Sequence, residues 1–143
     1  MKLLWERKFE LSELADVALQ IAGELTKKTP FCLWLQGNLG AGKTALTREI
    51  LYAMGLPRSE LVTSPTFTLL NDYEIEGVWY AHLDLYRLSS MEDFDLSYRD
   101  FRGYFVEWPK EAVSTSEFRP THLLQLFSVP SSTVERCVRF SSV

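Results

Sequence analysis

The stretch that most constrains this chain is Gly37-Asn38-Leu39-Gly40-Ala41-Gly42-Lys43-Thr44, which satisfies G-x-x-x-x-G-K-[ST] at every fixed position. The spacing has a physical cause. A polyphosphate is wrapped by backbone N–H groups, and only residues with little or no side chain let the main chain come that close. Gly37 turns the chain out of a strand, and Gly40, Ala41 and Gly42 keep the loop wall thin. Lys43 carries an ammonium to the β/γ-phosphates, and Thr44 offers a hydroxyl to Mg²⁺. The helix that follows adds the positive end of its dipole. Such a loop needs a buried strand before it and a helix after it. Phe31–Leu35 is an apolar run, and Ala45–Met54 reads as helix, stopped by Gly55 with Pro57 just beyond. The stretch therefore predicts a nucleotide site with Asn38, Leu39, Gly40, Ala41, Gly42, Lys43 and Thr44 around the phosphates.

At 143 residues, one domain spanning 1–143 is the natural count, and 46% hydrophobic residues suffice for a sizeable core. No apolar run approaches the ~20 residues of a membrane span. Charge enters the N-terminal stretch by Lys2 and again at Glu6-Arg7-Lys8, too early for a secretory signal. Cys32 and Cys137 lie far apart with no metal-ligand pattern and read as buried thiols of a reducing cytosol. A net charge of −4 without a Lys/Arg block argues against tight autonomous nucleic-acid binding. In an RNA pathway, another subunit would hold the RNA.

Before the loop, Trp5–Phe9 reads as an edge strand and Ser12 as the cap of a helix. Leu14, Val17, Ala18, Ile21, Ala22 and Leu25 give that helix one apolar face. After the loop helix, Pro65 interrupts a β-prone segment, which predicts an extended loop and then a strand through about Tyr73. Glu76-Gly77 turns the chain, and Val78–Leu85 returns as a strand. Ser89–Asp93 looks like a helix start, residues 94–102 are ambiguous, and Tyr104–Glu107 is a buried strand. Pro109 suits the first turn of a short helix. Leu123–Val129 and Val134–Phe140 read as a closing hairpin. The sum is an α/β domain with a central parallel sheet, antiparallel strands at the edges and flanking helices.

Nucleotide sites in such sheets lie at the carboxyl ends of the strands. Two strands end there in acids, Asp84 and Glu107. A phosphate-loop enzyme needs one acid in the Mg²⁺ shell and one group to orient the attacking water. Spacing alone does not divide those roles. Thr63-Ser64-Pro65-Thr66 brings hydroxyls on a Pro-stiffened loop, although taken alone it fits an ordinary turn better than a γ-phosphate sensor. Arg87 suits a phosphate or a surface ion pair equally. Trp108 fits core packing better than stacking on a base, and His82 fits a satisfied strand histidine better than a site residue. His122 carries no assigned role.

The motifs together are more specific. Gly37–Thr44, then Thr63-Ser64-Pro65-Thr66-Phe67-Thr68-Leu69, then His82-Leu83-Asp84-Leu85-Tyr86-Arg87-Leu88, then Glu107-Trp108-Pro109 resembles the TsaE (YjeE) family of bacterial ATPases, in family order across residues 30–110. The resemblance implies a phosphate-loop ATPase fold and a cytoplasmic protein that binds ATP and Mg²⁺. It implies a role in making threonylcarbamoyladenosine in transfer RNAs that read codons beginning with adenine. The partner it implies is a heterodimer of TsaB and TsaD, reset by ATP hydrolysis between turnovers. By position, Lys43 and Thr44 would hold phosphates and Mg²⁺, and Thr66, with Ser64, would belong to a switch-like loop. Asp84 would sit near the metal and Glu107 would orient or activate water, so that catalysis falls to Glu107, Asp84 and Lys43. The metal set is then Thr44, Asp84, Glu107 and Thr66. Two departures, Phe94-Asp95-Leu96 where the family has a Leu-Gly pair and Lys110 where it commonly has an acid, bear on partner surfaces. Two alternatives are a small-molecule kinase, for which no lid insertion is visible, and a nucleotide-dependent binding module without meaningful catalysis.

Overall fold

The computed structural model describes residues 1–88, 96–109 and 119–143. The helix start expected at Ser89–Asp93, the Phe94-Asp95 part of the ambiguous stretch, and Lys110 with the short helix expected after Pro109 lie outside them. Along the chain the elements are strand β1 (Lys2–Glu10), helix α1 (Leu14–Leu25), strand β2 (Phe31–Gly37), helix α2 (Lys43–Ala53), and strands β3 (Leu70–Ile75), β4 (Val78–Asp84), β5 (Phe101–Glu107), β6 (His122–Ser128) and β7 (Glu135–Ser142). A single turn of 3₁₀ helix, Leu11–Glu13, joins β1 to α1.

The expected cap, Ser12, lies inside that turn. Strand β1 runs straight to Glu10, and the Glu13 carboxylate reaches back to accept the Glu10 N–H at 3.0 Å. Arg7 donates to the same carboxylate at 3.0 Å. The Glu10 hydrogen bond first, and Arg7 second, hold the Glu13 carboxyl below its ordinary range. The Glu13 contact is the returning half of a capping box, in which Glu10 holds the N-cap position that a serine would otherwise occupy.

All seven strands form one sheet in the order β1-β7-β6-β2-β5-β4-β3. The interior strands β6, β2, β5 and β4 are mutually parallel; β7 is antiparallel to β6 on one side, with β1 antiparallel to β7 beyond it, and β3 is antiparallel to β4 on the other. The closing hairpin was expected at an edge. Instead its first arm, β6, lies directly beside the loop strand β2 and parallel to it, from Leu33 opposite His122 to Gly37 opposite Leu126. Only the second arm, β7, is antiparallel, and β1 forms the edge beyond it.

Alternation along β2 divides the interior in two. Phe31, Leu33 and Leu35 face α1 and α2, where Val17, Ile21, Leu25, Leu46, Ile50 and Leu51 are buried against them. Cys32 and Trp34 face the other side, with Leu83, Leu85, Leu96 and Val106. Both described helices therefore cover the same face. Each fully buried Leu, Ile or Phe contributes ~1.5–3 kcal/mol by leaving water. A strand buried on both faces reads as a continuous apolar run, which is why Phe31–Leu35 was legible.

Burial also sets the state of Cys32, whose thiol is pushed up to about 12 by loss of solvent, partly opposed by a contact from Trp34. The native state therefore keeps a proton that the unfolded state gives up near the ordinary thiol value. This contribution is complete below pH ~9 and is lost as pH rises toward 12, at roughly 1 kcal/mol per pH unit. Urea unfolding at pH 7 and pH 10 should show a larger alkaline loss in the native sequence than in Cys32→Ala. Equal losses in the two chains would contradict it.

Candidate functional site

The loop between β2 and α2 is shaped by two left-handed glycines, Gly40 at φ 80° and Gly42 at φ 105°. A side chain at either would strain the backbone. Gly37 has a different reason to be glycine. It is the last residue of β2, and a Cβ there would stand 2.6 Å from the carbonyl oxygen of Leu126 on β6. The first glycine of the motif serves strand packing, and the turn follows after it.

Lys43 opens α2 and is buried, although nothing apolar requires it there. Its ammonium donates to the carbonyls of Gly37 and Asn38, the latter at 3.3 Å, and lies 3.7 Å from the centre of the Trp108 ring. Desolvation lowers its pKa, and the nearby Glu107 and Asp84 carboxylates oppose that shift. The lysine is thus folded onto its own loop, within reach of two anions.

Strand register brings the acids together. Asp84 and Glu107 end adjacent parallel strands and pair directly across them, and Glu107 also pairs with Leu35 of β2, two residues before the loop. Both are buried, with relative exposures of 3% each. The Thr44 hydroxyl donates to the Glu107 carboxylate, at 2.9 Å to Oε2 and 3.2 Å to Oε1. Asp84 accepts the Thr66 hydroxyl at 3.0 Å and the Tyr86 N–H at 2.9 Å. The Thr63–Thr66 segment is therefore more than a turn. Ser64 and Thr66 share a hydrogen bond at 2.7 Å, and Thr66 ties the segment to a strand-end acid.

A cavity of about 210 Å³ is lined by Asn38 through Ala45, Ser64, Thr66, Asp84, Glu107 and Trp108. Every residue expected around the phosphates, and every expected metal ligand, borders it. A second, more apolar hollow of about 170 Å³ adjoins it between Leu39, Tyr86 and Trp108. Trp108 is thus a wall of the site, not part of the core. Its backbone is left-handed at φ 54°, a strained geometry for a bulky residue of the kind that gathers at functional sites. Arg87 places its guanidinium 4.8 Å from the centre of the Phe67 ring. His122 stacks on Phe140 and bonds Thr121, away from the cavity.

Two further contributors stand out, Arg136, which the sequence does not single out, and His82, whose site role it ranks below that of a satisfied strand histidine. Arg136 on β7 donates from Nε to the Ala41 carbonyl at 3.3 Å, bracing the loop from 95 positions along the chain. No local pattern announces such a partner. His82 is fully buried and meets Glu107 Oε2 at 2.5 Å. Its alternation with Asp84 on one strand face was the available signal.

Chemically the arrangement offers one cation, two carboxylates and three hydroxyls, those of Thr44, Ser64 and Thr66, around a glycine-shaped loop. Hard oxygen donors in small number suit Mg²⁺, which keeps several waters and takes one or two carboxylates along with substrate phosphates. Among the described residues no group of three or more His, Cys, Asp or Glu could hold a metal alone, which excludes there a closed all-protein cage of those ligands. No helix among the described residues is long and apolar enough to cross a membrane.

Comparison with known proteins agrees with the motif order. A family model described as threonylcarbamoyl adenosine biosynthesis protein TsaE matches residues 10–136. The protein named tRNA threonylcarbamoyladenosine biosynthesis protein TsaE from Aquifex aeolicus is 39% identical over 112 residues, covering 76% of this chain and 79% of its own. The protein of the same name from Haemophilus influenzae is 34% identical over 111 residues, covering 73% and 68% respectively. The crystal structure of YdiB from Bacillus subtilis shares the fold, with a TM-score of 0.65 and 24% identity over 100% of this chain and 88% of that one. The central parallel sheet and its glycine-rich loop form a P-loop NTPase-like fold, and the chain belongs to the TsaE family.

Proposed function

We propose that this chain binds ATP with Mg²⁺ and hydrolyses it in the cytoplasm, in service of the threonylcarbamoyladenosine modification of transfer RNA. The observation that carries the reading is the contact between Thr44, at the start of α2, and Glu107, at the end of β5. It joins the phosphate loop to a strand-end acid, with the second acid, Asp84, one strand away in register. Relatives named for threonylcarbamoyladenosine biosynthesis supply the pathway.

Within this reading, Lys43 leaves the carbonyls of Gly37 and Asn38 for the phosphate oxygens, and the loop amides wrap them. Thr44 and Glu107 would hold the metal, with Asp84 and Thr66 completing its surroundings. Bound Mg²⁺ neutralises charge that develops on the transferred phosphoryl group. Glu107 and Asp84 orient the attacking water, and Trp108 closes one wall against bulk solvent. The net charge of −4 leaves RNA binding to the partners, which we take to be the TsaB–TsaD heterodimer reset by each hydrolysis.

The deciding measurement is phosphate release by the chain alone and with TsaB and TsaD. Slow release alone and at least a tenfold increase with the pair is expected. No change in either hydrolysis or tRNA modification would remove the accessory-ATPase reading. Transfer of labelled phosphate from ATP to a nucleoside or small alcohol would replace it with a kinase.

A further inference from the structure

One buried group near the site is not explained by phosphate binding. His82 lies inside β4 between Ala81 and Leu83, and its exposure is 0%. Burying an imidazole removes both ring nitrogens from water, at a cost unless each finds a partner. Nε2 faces Oε2 of Glu107 at 2.5 Å, whereas Nδ1 has no hydrogen-bond partner among the described residues. A histidine kept only for packing would be replaced without loss by an apolar residue. Among the described residues, its side-chain polar contact is to an acid of the proposed nucleotide site.

The two oxygens of Glu107 are not equivalent. Oε2 meets both His82 and Thr44, at 2.5 and 2.9 Å, while Oε1 has only the longer Thr44 contact at 3.2 Å. A carboxylate accepts and does not donate, so the ring nitrogen facing it must carry the hydrogen. We propose that His82 is a positioning residue: its Nε2–H pins Oε2 of Glu107 beside Thr44 and so fixes the carboxylate, leaving Oε1, the less engaged oxygen, for the Mg²⁺–nucleotide. This inference rests on the reading of Glu107 as the acid on the metal side. The physical gain is that of an outer partner that fixes a ligand's orientation, whose loss lowers metal affinity or activity ~10–100-fold.

The test uses ADP, so that turnover does not interfere. Calorimetric titration with and without Mg²⁺ should show that His82→Leu weakens Mg²⁺-dependent ADP binding ~10–100-fold and leaves metal-free ADP binding unchanged. His82→Gln, which keeps an N–H donor, should recover part of the loss. In a Glu107→Gln background, His82→Leu should add almost nothing, because the two act as one unit. Equal weakening with and without Mg²⁺, or full additivity with Glu107→Gln, would reduce His82 to packing. If Glu107→Gln itself leaves Mg²⁺ dependence intact, the reading of Glu107 fails. If Glu107→Gln removes that dependence and His82→Leu does not, the His82 proposal fails alone. Should His82→Leu not fold, a long-range ¹H–¹⁵N spectrum of the native chain decides. A proton on Nε2 that shifts in Glu107→Gln is expected, and a proton on Nδ1 overturns the proposal.

Discussion

Glu107→Gln is expected to lower ATP hydrolysis by about two to three orders of magnitude while metal-free nucleotide binding stays at its native level. The size follows from removing a charged group that acts on the reacting phosphate or its water. The substitution keeps the volume and one oxygen, so β5 and its neighbours have no reason to move. The affinity for nucleotide without metal depends on the loop amides and the Lys43 ammonium, whereas the direct hydrogen bond of Glu107 to the loop is to the Thr44 hydroxyl, which Gln can still accept. Phosphate release under saturating ATP, paired with equilibrium binding in EDTA, separates the two. Native hydrolysis in this variant would show that the acid at this strand end is not part of the chemistry. A chain that functions only as a nucleotide-dependent binder would keep tRNA modification in cells.

Gly103→Val should produce the largest loss of stability that the fold predicts from a single surface-distant change. A Cβ at Gly103 would lie 2.3, 2.5 and 2.7 Å from three atoms of the Phe31 ring. That ring is buried and cannot yield, since it packs edge-on against Phe105 at 5.4 Å and stacks on Tyr80 at 6.0 Å. Overpacking of this kind costs about 3 kcal/mol, enough to lower Tm by roughly 10 °C in a chain of this size. Phe31→Ala in the same chain should relieve most of the clash, so the double variant is expected to lose less than the two single losses combined. A melting temperature unchanged by Gly103→Val would mean that the ring has room the structure does not show. The effect bears on function because Gly103 and Phe31 pair across β5 and β2, setting the register that delivers Glu107 beside the loop.

What the sequence makes legible here is whatever is local. The loop, the strand before it and the helix after it are contiguous, and their composition follows from phosphate size and strand burial. Asp84 and Glu107 were legible because strand ends in parallel sheets face the site. What was not legible depended on pairing between distant segments. Nothing in Leu123–Val129 shows that this strand lies beside β2, because an apolar alternating run fits a central or an outer position equally well. The true reason for Gly37 is a carbonyl on that same strand, 89 positions later. Trp108 reads as core because tryptophan usually is. Its place at the cavity wall comes from a left-handed backbone just after β5 that no composition rule anticipates. Arg136 illustrates the limit most simply, as an arginine in a plain hairpin that becomes a loop brace only when the sheet closes.

The outermost pair of strands has a consequence for how the chain is made. Among the described residues, strand β1 pairs with the sheet only through β7, with Lys2 opposite Ser142 and Glu10 opposite Glu135. During synthesis β1 emerges long before the strand it must pair with, and it waits with both hydrogen-bonding edges open. Contacts between such distant segments are slow to form, and unpaired edges are what nascent chains aggregate through. The charges along β1, at Lys2, Glu6, Arg7, Lys8 and Glu10, suit that interval, since they discourage pairing with a stranger until β7 arrives. The ribosome must therefore finish nearly the whole domain before its first strand finds a home.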